Sequence, residues 1–159
     1  MGSARKCSAE SQTEMTLMML PSDANPMGNV FGGIIPKHVD LIAGIAAKRH
    51  ARNTNCVTVS IDRMTFLKPV YIGNALILSA RLNYVRRSSM EIEVQIESEN
   101  LDTGDRVKTG TAFVTVVALD KNGKSTAVPP LLTVTEEEGH RFADGERRMQ
   151  NRLKDASKI

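Results

Sequence analysis

Between Leu20 and His50 the chain reads LPSDANPMGNVFGGIIPKHVDLIAGIAAKRH. A polar, turn-forming loop carrying Asn25 and Asn29 gives way at Gly32-Gly33 to an almost wholly apolar segment. Ile35, Val39, Ile42 and Ala46 recur at helical spacing, and Ile34, Leu41 and Ile45 widen the stripe over most of the circumference. Pro36 falls in the first turn, where a missing N–H costs little. Lys48, Arg49, His50 and Arg52 crowd the far end, where the helix dipole favours cations. The spacing predicts a helix from Gly33 to about Arg52, apolar nearly all round and therefore enclosed by other structure. One carboxylate, Asp40, interrupts it.

What surrounds this helix reads mostly as strand. QTEMTLMML alternates ahead of Pro21, and VTVSIDRMTF shifts phase near Asp62-Arg63, which predicts a bulge. ALILSARLNYV and MEIEVQIESE keep period two, and RVKTGTAFVTVVAL is long enough to be the most central strand. After Pro129-Pro130 the composition changes. Thr135 to Glu138 fits a capping box, and a charged helix of about twenty residues is expected to follow, on the surface or against a neighbouring subunit. Residues 1–10 read as a flexible tail, 11–128 as the folded domain and 129–159 as a C-terminal extension. Antiparallel strands against one apolar helix make an α+β domain whose sheet wraps the helix. Its edge strand and part of the helix stay open, so self-association is expected.

Composition narrows the function classes. With 159 residues and 41% hydrophobic content, a single domain with a real core is expected. No Trp and 4% aromatics leave too few rings to stack single-stranded nucleic acid. A net charge of +3 is too small to argue for nucleic acid or membrane, though it suits an anionic small ligand. Cys7 and Cys56 lie in no metal-ligand spacing, so no metal site is expected. Neither a signal peptide nor a membrane-spanning run is legible, which makes a reducing cytoplasm the expected location.

The Asp40 puzzle then takes chemical form. A lone carboxylate in an enclosed helix needs partners or a polar cavity, and such groups are functional-site candidates. Gly32 and Gly33 offer bare backbone N–H groups at a helix N-terminus, an arrangement that stabilises an oxyanion. Eight residues separate Gly32 from Asp40, roughly 12 Å along the axis at 1.5 Å per residue. One chain cannot bring both to the same carbonyl. Two antiparallel helices across a two-fold axis can, so the sequence favours a site composed at a dimer interface.

DANPMGNVFGG, HVD, AKRH, VTVSIDRMTFLKPVYIGN, RRSSMEIEV and TGTAFVTVVALD together resemble the acyl-CoA thioesterases of the hotdog fold, over about Ser11 to Leu153. The subgroup it resembles includes the cytosolic brain-type acyl-CoA hydrolase and its bacterial relatives. The resemblance implies a long helix wrapped by an antiparallel sheet, paired into a double hotdog and often assembled as a trimer of dimers. It implies Asn25 and Asp40 as the catalytic loop asparagine and helix aspartate, and Gly32, with Gly33 beside it, as the amide polarising the thioester carbonyl. Thr58 falls near a position that assists the acid in some relatives. Arg86, Arg87, Ser88 and Ser89, in YVRRSSM, match the contact for the nucleotide end of coenzyme A, although the family usually has Gly where Arg86 stands. Lys68 and the basic helix end are secondary candidates.

The implied chemistry is hydrolysis of a fatty acyl-CoA ester to acid and CoA, with no cofactor beyond the CoA in substrate and product. Asp40 would act as general base or as nucleophile. Thiolate leaves readily, since thiols have a pKa near 8.5, so no strong general acid is required. The alternatives are a non-catalytic acyl-CoA sensor, against which Asn25 and Asp40 both speak, and a hydratase, which needs a loop histidine that is missing before Gly32.

Overall fold

The computed structural model describes residues 4–53 and 55–157. Its strands in chain order are β1 (Lys6–Cys7), β2 (Thr13–Met18), β3 (Cys56–Phe66), β4 (Ala75–Val85), β5 (Ser89–Glu99), β6 (Arg106–Ala118) and β7 (Leu131–Leu132). Helix α1 (Ile34–Ala51) follows β2, and α2 (Glu136–Ala156) ends the described chain. Five strands form an antiparallel sheet in the order β2-β4-β5-β6-β3, and β1 pairs in parallel with β7. The central strand is β5; β6, expected at the centre from its length, lies one place out, and its 13 residues serve both β5 and the bulged β3.

Helix α1 lies on the face of the sheet where the inward alternate positions converge. Val39, Ile42, Ala43 and Ala46 are fully buried against the side-chain rows that include Leu78, Ile92, Val94 and Val114. These four small or β-branched residues on that face of the helix let it sit close to the sheet. The helix is not enclosed all round, as its apolar circumference suggested. Leu41 and Ile45 are exposed, because one sheet covers only one side. Val57, Val59 and Ile61 on edge strand β3 are exposed as well.

Strand β3 breaks register with β6 between Thr58 and Ser60 and again between Asp62 and Thr65, where Arg63 adopts φ 45°. The second shift is the bulge read from the sequence. It brings the Thr65 carbonyl directly over Gly110, where a Cβ would land on the oxygen.

The outer face of the sheet is covered in part by α2. The expected capping box is formed: Thr135 Oγ1 accepts from Glu138 N at 3.1 Å, and Glu138 Oε2 accepts from Thr135 N at 3.2 Å. Gly145 lets the helix close on β4 and β5, since a Cβ there would stand 2.7 Å from Tyr84 Cβ. Arg148 donates to both oxygens of buried Glu91, at 3.0 and 2.6 Å, with its guanidinium 3.9 Å from the Phe113 ring centroid. So α2 packs on its own chain's sheet, and the outward Glu91 of β5 lies beneath it.

From Lys6 onward the expected flexible tail is docked, and its first three residues lie outside the described residues. Lys6 Nζ donates to the carbonyl of Arg49 at 2.7 Å, serving an orphan acceptor at the C-terminus of α1. His50 is fully buried, with Nε2 donating to Pro129 O at 2.8 Å and Nδ1 accepting from Ser11 Oγ at 3.3 Å. One end of the helix thereby gathers both flanking segments. Polarity of residues 4–10 hid this, because the anchors are hydrogen bonds and not apolar burial.

Candidate active site

The loop before α1 is shaped by its own polar side chains. Asp23 Oδ2 accepts from Leu20 N at 2.8 Å, and Phe31 N donates to Asp23 O at 2.7 Å. Asn25 Oδ1 accepts from Met27 N at 3.0 Å and Asn29 N at 3.1 Å, an Asx-type turn. With its oxygen committed to the loop, Asn25 is left to present its amide N–H donors. Val30 N donates to Val70 O at 3.2 Å and ties the loop to the β3–β4 connection.

A cavity of about 340 Å³ opens between these segments, lined among others by Asn25, Gly32, Ile35, Phe66, Lys68 and Val70. The glycine pair divides in its reasons. A Cβ on Gly33 would stand 2.6 Å from the Phe31 ring, whereas one on Gly32 would meet nothing within 4 Å. Gly32 thus leaves open space beside the cavity that none of the described residues occupies. The cavity joins amide donors and one cation to an apolar wall.

Asp40 does not line this cavity. Nine residues separate it from Arg49, and nine steps of about 100° place the two on opposite sides of the helix. Arg49 Nη1 donates to Gln12 O and Thr13 Oγ1 at the β2 edge, so Asp40 faces the β3 side. Its Oδ1 is buried and has no hydrogen-bond partner among the described residues. His38, on the β2 flank, has an Nδ1 in the same condition, and burial and then neighbouring Lys37 push its pKa down, against Asp23.

The structure brings Asn25 and Gly32 to one cavity, with Gly33 next to it. Thr58 is exposed on β3 opposite Val116. Arg86 to Ser89 form the β4–β5 hairpin, closed by Arg86 N donating to Ser89 O at 2.9 Å. Arg86 lies outside the left-handed region, so it takes the glycine position without backbone strain. The hairpin and the cavity occupy opposite ends of the sheet. Phe66 shares a ladder row with Leu78, and seven residues at 3.3 Å put Val85 roughly 23 Å away. Asn29 and Val70 join the cavity without having been singled out, since both enter through backbone ties that side-chain patterns do not announce. Among the described residues, no group of three His, Cys, Asp or Glu is placed to hold a metal ion.

The thioesterase superfamily model matches residues 27–104. A Bacillus subtilis protein described as an uncharacterized acyl-CoA thioester hydrolase, YkhA, is 41% identical over 129 residues, which cover 81% of this chain and 74% of that protein. The human cytosolic acyl coenzyme A thioester hydrolase is 36% identical over 87% of this chain, which spans 37% of the human protein. A crystal structure of an apo-hexameric acyl-CoA thioesterase superposes with a TM-score of 0.90 at 37% identity, over 96% of this chain and 97% of that one. A helix on a five-stranded antiparallel sheet, with the loop cavity at the helix N-terminus, is thus a hotdog domain. The chain belongs to the acyl-CoA thioester hydrolases of the thioesterase superfamily.

Proposed function

We propose that the protein hydrolyses acyl-CoA thioesters to the carboxylic acid and free CoA, at a site built by two copies of the chain. The observation that carries this reading is the separation within one chain of complementary halves. A cavity with an open Gly32 amide and the Asn25 donors lacks an acid, and half-buried Asp40 on the exposed side of α1, whose Oδ1 has no hydrogen-bond partner among the described residues, lacks a substrate.

A two-fold axis running antiparallel helices past each other through Leu41 and Ile45 joins these halves. It also turns the hairpin end of one sheet toward the cavity end of the other, which carries Arg86, Arg87, Ser88 and Ser89 to the nucleotide side of the substrate. The thioester carbonyl then rests at Gly32 N–H. Asp40 of the other copy takes a proton from water as the water oxygen bonds to the carbonyl carbon, and the oxyanion is held by the amide and helix dipole. Collapse breaks the carbon–sulfur bond, and the thiolate leaves with the proton Asp40 holds. In the other route Asp40 attacks the carbonyl carbon and the carbon–sulfur bond breaks to expel the thiolate, leaving a mixed anhydride that water cleaves to the free acid and the Asp40 carboxylate, the released proton going to the thiolate. Asn25 orients the water or carbonyl, and Thr58 supports the acid. No cofactor enters either route. The similarity to a hexameric enzyme supports a trimer of such dimers, and a reducing cytoplasm suits the two free thiols.

Thiol release from a series of acyl-CoAs tests the activity, and Asp40→Asn is expected to lower kcat by about 100-fold or more. Complementation tests the shared site. Asp40→Asn and Asn25→Ala chains are each inactive, but dissociated and reassembled together they regain about a quarter of wild-type activity, since half the dimers are mixed and each holds one intact site. No recovery on mixing means that each site lies within a single chain.

A further inference from the structure

Near its start, edge strand β3 carries one residue more than β6 can match. Thr58 stands opposite Val116 and Ser60 opposite Thr115, so Val59 is the extra residue of a bulge. Side chains alternate between the two faces of a sheet, and a shift of one residue reverses which face each one meets. Val114 and Val116 belong to the core, so their partners Ile61 and Thr58 both point to the face that α1 covers. Without this bulge Ile61 would keep its place, and Thr58 would stand opposite Val117 on the outer face. The orientation of Thr58 therefore hangs on the register of Ser60 to Asp62, the stretch paired between the two shifts.

That stretch is held from the outer face by α2. Arg152 Nη1 donates to Ser60 Oγ at 3.3 Å, and its Nε lies 3.9 Å from Asp62 Oδ2. Ser60 Oγ donates to the same Oδ2 at 3.1 Å, which closes the cluster. One turn earlier Arg148 is fixed on Glu91 of β5 and over the ring of Phe113, the ladder partner of Asp62 on β6. Two arginines four residues apart thus tie the last turns of α2 to β5, β6 and β3. A slip of one residue would turn Ser60 and Asp62 toward the apolar face and take both acceptors from Arg152, so the cluster opposes it.

We infer that Arg152 is a positioning residue for the hydrolysis: by holding Ser60 and Asp62 outward, it keeps the β3 register that turns Thr58 to the face where Asp40 lies. The inference rests on the proposed function for the part Thr58 plays beside the acid. Arg152 touches neither the substrate nor the reacting atoms, and acts through the strand from the far side of the sheet. It makes α2 a brace for the site as well as a cover for the sheet.

Arg152→Met removes the charge while α2 keeps Arg148 and the buried Met149, so the fold is expected to persist, which a melting curve checks. Where that variant does not melt cooperatively, Ser60→Ala, which removes one acceptor alone, takes its place. Thr58→Ala is expected to lower kcat about tenfold, the size of a lost hydrogen bond to a charged group, with KM for acyl-CoA unchanged. Arg152→Met is expected to lower kcat by a comparable factor, again with KM unchanged. The double variant should then be no slower than Thr58→Ala, since residues that act through one contact are not additive. Losses that multiply in the double variant, a change confined to KM, or undiminished kcat in either single variant overturn the inference. Should the wild-type protein release no thiol at all, the hydrolase reading fails separately. Hydrogen exchange then decides the register: faster exchange of the β3 amides in Arg152→Met than in the wild type supports it, and identical exchange overturns it.

Discussion

Gly110 shows how a single residue sets the shape of the sheet edge. The bulge at Asp62–Thr65 moves β3 inward until the Thr65 carbonyl lies over the Gly110 Cα, and the obstruction is backbone that cannot rotate away. Gly110→Ala should therefore cost about 3 kcal/mol, the upper end for overpacking, read as a lower urea midpoint at unchanged slope. An unshifted midpoint would mean that β3 slides freely on β6. Gly33 differs: the Phe31 ring that crowds it is 56% exposed and can swing out, so Gly33→Ala should be mild. The two halves of a glycine pair that read alike in sequence thus answer to different neighbours, and only Gly32 faces open space.

Two elements have stabilities that can be tested separately. The end of α1 is anchored through His50, whose pKa burial pushes down, partly opposed by its bond to Pro129; Lys6 lowers it further and Glu10 raises it. A depressed base binds its proton more readily when unfolded. Its contribution to stability is full above the unfolded value near pH 6.5 and declines as pH falls below it, toward the lower folded value. Chemical denaturation at pH 7.5 and 5.5 should show this loss. In His50→Gln the loss across that window should shrink, and an unaltered loss would assign the pH dependence to other groups. At α2, Arg148→Met strands the Glu91 carboxylate beneath the helix. The expected cost is about 2–3 kcal/mol, somewhat below that of breaking a fully buried pair because Arg148 keeps partial solvent access. Adding Glu91→Leu should recover most of it; failure to recover would show that packing, not charge, holds α2 down.

At the scale of the whole molecule, the exposed Leu41 and Ile45 of α1 and the apolar residues of edge strand β3 form a surface that a second copy can bury. A carboxylate placed there would be buried without a partner. Leu41→Glu should yield a monomer by sedimentation with little residual thiol release, although Leu41 does not line the cavity. A monomer that retained full activity would end the case for a shared site. The wild-type melting temperature should rise with protein concentration, as dimer formation requires.

Much of this was legible in the sequence, because the period of apolar side chains is a local property. The buried face of α1, the alternation of β4 and β5, the β3 bulge and the Thr135 capping box all follow from neighbours a few residues apart. So does the mismatch between Gly32 and Asp40, since helical rise alone keeps them apart. Strand order, the seating of residues 6–10 on the end of α1, the burial of Glu91 under α2 and the reach of Arg152 to β3 came only with the tertiary structure. Each depends on contacts between residues tens of positions apart, made through hydrogen bonds and close backbone approach that leave no periodic trace in the chain.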